Sequence, residues 1–110
     1  MEYKNILLST GVVPPAGIEE LGIVYGSCVI STSVIGDALA TLRNLSVGGE
    51  LRQYTGLLQK GMDSALERLR DAALAKGAEG VYAIQFIAPQ VAGGAAEVIA
   101  AGTAYRRVKG

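Results

Sequence analysis

Catalysis and metal binding need side chains that carry a proton, a metal or a reactive electron pair. This chain has no histidine and a single cysteine, Cys28, among its 110 residues. Without histidine there is no Ser–His or Cys–His pair to activate a nucleophile. One cysteine excludes an internal disulfide and any CxxC metal or redox pair. Cys28 lies in an apolar run, where a free cysteine reads as a small buried hydrophobe. The alternative is a ring of Cys28 side chains about a symmetry axis, which would take a soft metal. Asp63, Glu67 and Asp71 recur at every fourth position and share one helix face, where they could hold a hard cation between subunits. Arg68 and Arg70 stand beside them, so the pattern reads as a solvated ladder of mixed sign.

Glycine patterns offer two more candidates. Gly56 and Gly61 copy the outer glycines of a phosphate loop, but Met62-Asp63 follow where Lys-Ser or Lys-Thr is needed. Gly48 and Gly49 precede a helix, and free backbone N–H groups at a helix N-terminus can bind an anion. Arg52 and Tyr54 are close in sequence, while the Glu50 carboxylate would repel an anion. Gly48, Gly49, Glu50, Arg52 and Tyr54 therefore form the candidate site, with a contact between subunits as its main reading. No catalytic residue and no cofactor is assigned, and the expectation is a protein that is not an enzyme.

The element that must position these residues is a long amphipathic helix from Gly48-Gly49-Glu50 to Lys76-Gly77. Tyr54, Leu58, Met62, Ala65, Leu66, Leu69, Ala72 and Ala73 fall at steps of three and four on one stripe. About 26 residues make a rod of roughly 39 Å, whereas a domain of this size is only some 35 Å across. Part of the stripe is therefore expected to meet another subunit. A helix hairpin broken at Gly56 or Gly61 is the competing expectation. Glu50 and Lys76 are placed in the first and last turns, each matched to the helix dipole.

Around the helix the chain reads as β–β–α–α–β–β. Asn5 to Thr10 is a short strand, and Gly11 to Gly17, with Pro14-Pro15, is a linker. Leu21 to Ser33 is a strand with apolar residues on both faces, both of which want covering. Gly22 and Gly26 within it permit a bulge. Ile35, Ala38, Leu39, Leu42 and Leu45 make a short helix. Val81 to Ala88 and Ala95 to Val108 pair as a hairpin around Gly93-Gly94. In the first of these, Val81, Ala83, Gln85 and Ile87 are expected on one face and Tyr82, Ile84, Phe86 and Ala88 on the other. In the second, Ala96, Val98, Ala100, Gly102 and Ala104 form a face small enough for a helix to lie close. The fold expected is α+β in two layers: one antiparallel sheet packed on the long helix, with the short helix beside it, in a single domain over residues 1–110.

Composition narrows the function. With 50% hydrophobic and 18% charged residues, the chain is not disordered. A net charge of zero gives no electrostatic case for nucleic acid or an anionic membrane, and little repulsion to hold copies apart. No apolar run spans a bilayer and no signal peptide is legible, so a cytoplasmic homo-oligomer is expected.

Three stretches resemble the YbjQ-like family, which is labelled heavy-metal-binding and is largely uncharacterised. They are Leu21-Gly22-Ile23-Val24-Tyr25-Gly26 with Cys28-Val29, then Asp37 to Asn44 with Val47-Gly48-Gly49 and Tyr54, then Ala65 to Leu69 running on to Ala75-Lys76-Gly77-Ala78-Glu79-Gly80-Val81. The resemblance implies a dodecin-like α+β subunit and a homopentameric ring whose short strands help assembly. Where the family tends to have Gly-Gly-Arg-Ser and later Tyr-Glu, this chain has Gly48-Gly49-Glu50-Leu51 and Tyr54-Thr55. A polar site built on that arginine and glutamate is not carried over. A small ligand or metal held between subunits is the alternative function.

Overall fold

In the computed structural model, residues 5–31, 49–88 and 95–108 are described, with the backbone alone at 31, 49–55, 57, 95 and 96. Helix α1 runs unbroken over Gly49–Ala75, so no hairpin forms at Gly56 or Gly61. Ala65, Leu69 and Ala73 on its stripe are fully buried, with Leu66 and Ala72 packed at the margin of the core. The helix ends because Gly77 takes a left-handed conformation, with φ of 77°. The Ala78 N–H then donates to the Ala73 carbonyl and the Gly77 N–H to the Leu74 carbonyl, both at 3.0 Å, which is the Schellman pattern. The buried Ala78 and Ala73 supply its apolar contact. Lys76 thus falls just beyond the last helical turn rather than inside it.

Four strands form the second layer: β1 (Leu7–Leu8), β2 (Ile18–Ser31), β3 (Gly80–Ile87) and β4 (Ala95–Arg107). Their order is β1-β3-β4-β2. The β2–β4 and β3–β4 pairs are antiparallel, as expected, but β1 lies parallel to β3. The sheet is therefore mixed, not antiparallel. The Leu7 and Ser9 N–H groups donate to the Glu79 and Val81 carbonyls, and the chain then passes through β2 and α1 before β3 is made. No tight turn links β1 to β3, so nothing local dictates their relative direction. The expected short helix over Ile35 to Leu45 and the turn at Gly93-Gly94 lie outside the described residues.

β2 starts earlier than its apolar pattern, at Ile18. Glu19 pairs with Arg106 of β4 in register and through a 2.9 Å ion pair, and Glu19 and Glu20 both enter the edge strand β2. The extra residue Leu21 is absorbed where the register shifts between Glu20 and Gly22, and Gly22 has φ of 105°. This is the bulge that the glycines permitted.

The helix and sheet meet over small residues. Val24, Gly26 and Ile30 of β2 are buried, as are Val98, Ala100, Gly102 and Ala104 of β4. A methyl group at Gly26 would overlap the Leu69 backbone nitrogen and the Ala65 carbonyl oxygen, so helix and strand backbones lie in contact there. Leu69, Val24 and Val81 are the largest fully buried side chains, each contributing about 2 kcal/mol by burial. Gly61 faces Ile30, with 3.0 Å from an added methyl to Ile30 Cδ1, whereas nothing lies within 4 Å at Gly56.

β3 departs from strict alternation. Val81 and Ile84, expected on opposite faces, both enter the core. The cause is a bulge between Tyr82, opposite Thr103, and Gln85, opposite Ala101. Ala83 sits in it with φ of 56°, the left-handed region where a Cβ is disfavoured. Gly102 lies beneath, where a side chain would strike both Val81 and Ile84.

Two expectations follow for chemical denaturation. Gly26→Ala lowers stability by about 3 kcal/mol, because neither backbone can retreat, while Gly56→Ala raises it by up to about 1 kcal/mol. Ala83→Gly raises it by about 1 kcal/mol by relieving the left-handed strain; an unchanged unfolding midpoint would contradict the bulge.

Candidate functional site

Among the described residues, Cys28 and the carboxylates Asp63, Glu67 and Asp71 do not converge on one point. Gly49, Glu50, Arg52 and Tyr54 lie on the backbone of the first two turns of α1, and Gly48 lies outside the described residues. Cys28 is a free, partly buried cysteine opposite Val98, on the helix-facing side of β2. Asp63, Glu67 and Asp71 are exposed, and Asp63 and Glu67 share a shallow surface depression with Leu66 and Arg70. Arg68 turns the other way and donates from Nη1 to the Ser27 carbonyl, tying the helix to the edge strand.

A heavy-metal site needs several soft donors around one point. With no histidine and one cysteine per chain, the residues do not fit such a metal within one copy. Among the described residues, no group of three or more cysteine, aspartate or glutamate side chains could hold an ion. Also among them, no helix is long and apolar enough to cross a membrane.

A cleft of about 460 Å³ lies at the exit of α1 and is lined by Asn5, Ile6, Leu7, Gly77, Ala78, Glu79 and Arg107. Its carboxylate is engaged, since Glu79 Oε1 accepts the Arg107 backbone N–H at 2.9 Å. The lining supplies one amide, one carboxylate and one guanidinium, with no nucleophile beside a base.

Sequence reasoning missed one polar cluster. Tyr82 Oη donates to Glu20 Oε1 at 2.6 Å, across 62 positions of sequence. Tyr105 lies over Gly80, and its ring centroid is 6.1 Å from that of Tyr82 in a tilted arrangement. The hydrogen bond to Glu20, then burial and the Glu20 charge, raise the Tyr82 phenol above its ordinary value, with a Thr103 hydrogen bond acting the other way. The bond favours the neutral phenol, so its stabilisation is present below the unfolded value near 10 and is lost as pH rises through the folded one. Spectrophotometric titration should show one tyrosine ionising later than a free phenol. Tyr82→Phe should remove that late step and flatten the alkaline loss of stability.

Comparison with known proteins supplies the lineage. A family model described as "Putative heavy-metal-binding" matches residues 6–107. A UPF0145 protein of Archaeoglobus fulgidus is 40% identical over 107 residues, covering 96% of this chain and 98% of that one. A UPF0145 protein of Hahella chejuensis is 45% identical over 87 residues, covering 79% and 83%. The crystal structure of a Pediococcus pentosaceus protein of unknown function, from the DUF74 family, superposes with a TM-score of 0.63. It covers 93% of this chain and 97% of its own, and at 14% identity it speaks for the fold alone. The mixed α+β layers, the match across residues 6–107 and the identities along nearly the full length place this chain in the YbjQ-like, UPF0145 family.

Proposed function

We propose that this chain is a single-domain, non-catalytic subunit of a cytoplasmic homo-oligomeric ring of five copies. One observation carries the assembly: Leu58 and Met62 continue the stripe of Ala65 and Leu69, yet stay 39% and 38% exposed. Among the described residues, the sheet covers the C-terminal half of the stripe and leaves these two partly exposed. The number five comes from the family resemblance. Gly48, Gly49, Glu50, Arg52 and Tyr54 precede Leu58 in the sequence and are assigned to the same contact.

The family description favours a second reading, a metal or small ligand carried between subunits. Each copy brings one thiol, so a soft metal would be held only where Cys28 side chains of several copies meet. No step of chemistry is assigned to it.

Native mass spectrometry on protein purified without chelators tests both. The expected mass is five times the 11.4 kDa chain, and Leu58→Lys should lower it. A single-chain mass at micromolar concentration overturns the ring. A reproducible added mass of metal that disappears in Cys28→Ser establishes the carrier reading, and its absence from the wild type overturns that reading.

A further inference from the structure

We propose that residues 5–11 form a strap that opens and closes as one unit over the edge of β3, latched on the left-handed bulge at Ala83. β1 is only two residues long, yet its backbone ties run past it. The Leu7 and Ser9 N–H groups donate to the Glu79 and Val81 carbonyls at 3.3 and 3.0 Å. Two bonds then run the other way. The Ile84 N–H donates to the Ser9 carbonyl at 3.0 Å and the Ala83 N–H to the Gly11 carbonyl at 2.8 Å. The bulge thus turns two successive amides toward the strap, and the strap satisfies both. Ser9 shapes the chain for this, because its Oγ accepts the Gly11 N–H at 3.0 Å.

The strap can leave without taking the rest with it. β1 is an edge strand, so β3 keeps its pairing with β4 when β1 is gone. Of the strap's apolar side chains, Ile6 and Leu8 pack at the margin of the core, both only partly buried, while Leu7 is 59% exposed. Beyond Gly11, Val12 and Val13 are 70% and 79% exposed, so their side chains do not hold the following segment down. The chain is anchored again at Gly17, whose carbonyl accepts the Val108 N–H at 2.9 Å. An edge held this way opens at lower free energy than the whole domain. Ala83 adds a bias, since its φ of 56° is held by the closed strap and is released when the strap lifts.

The strap also walls two hollows. Asn5, Ile6 and Leu7 form one side of the cleft at the helix exit. Leu8, Ser9 and Thr10 face Leu66, Ile84 and Phe86 across a slot of about 120 Å³. Lifting the strap joins the two into one groove between α1 and β3.

Native-state hydrogen exchange on the full chain tests this, read residue by residue in a series of urea concentrations below the unfolding transition. The Ser9, Ala83 and Ile84 amides should exchange together, at least about tenfold faster than the slowest α1 amides between Ala65 and Ala73. Urea should hardly change their rate, whereas the α1 amides, which need global opening, should accelerate with it. Ser9→Ala should speed the Ala83 and Ile84 amides about threefold, and Ala83→Gly should slow the amides at 9, 83 and 84 about fivefold. Fast exchange at Ala83 and Ile84 with Ser9 still protected overturns the strap, because the bulge then breathes alone. Exchange of all three in step with α1 at every urea concentration also overturns it, because the segment then parts from the sheet only on unfolding. Rates that neither substitution moves overturn the latch.

Discussion

The contact between the Gly26 backbone and the α1 backbone at Ala65 and Leu69 fixes the geometry of the rest. It sets how closely helix and sheet approach, because no side chain stands between them at that point. Everything around it must then be small. Ala65, Ala73, Ala100 and Ala104 are fully buried and Gly102 lies among them. This is a core of alanines and aliphatics in a chain with no tryptophan and a single phenylalanine. Such a core is held by close packing rather than by large aromatic surfaces, so it tolerates added volume poorly.

Close approach also explains the irregularities of β3 and β4. With a helix pressed on one face, that side of β3 has room for Val81 and Ile84 only where Gly102 yields space. The bulge at Ala83 brings both inward, at the cost of a left-handed alanine. On the other face, Tyr105 lies over Gly80, and Tyr82 reaches across to Glu20. That polar tie joins the start of β2 to β3, which lie on opposite sides of β4.

The chemistry left over is sparse, and this shapes the functional conclusion. Cys28 is partly buried against the helix side, the helix carboxylates are solvated, and the cleft at the helix exit lacks a nucleophile beside a base. Among the described residues, exposed apolar side chains are found at Leu58 and Met62 on the helix and at Ile23, Tyr25 and Val29 on the sheet. Exposed apolar surface at zero net charge is the feature on which the proposed assembly rests. Against the family's description as heavy-metal-binding, a single copy brings one cysteine and no histidine.

The sequence by itself determined the long helix, its glycine exit at Gly77, the small-residue face of β4 and the two-sided apolar character of β2. Each is a local pattern, a period of 3.6 or 2 or a residue type with one favoured conformation, and local patterns are legible in one dimension. It also determined which chemistries are missing, since an absent histidine needs no fold to be noticed. Only the tertiary structure decided the parallel seat of β1, the entry of Glu19 and Glu20 into β2, the swap of Ile84 to the core face and the Tyr82–Glu20 bond. Each depends on a partner far away in the chain: Val81 for Ser9, Arg106 for Glu19, Gly102 for Ile84. Glycine under a bulge and glycine in a loop look alike in sequence. What separates them is the neighbour that the missing side chain would have struck, and that neighbour is set by packing.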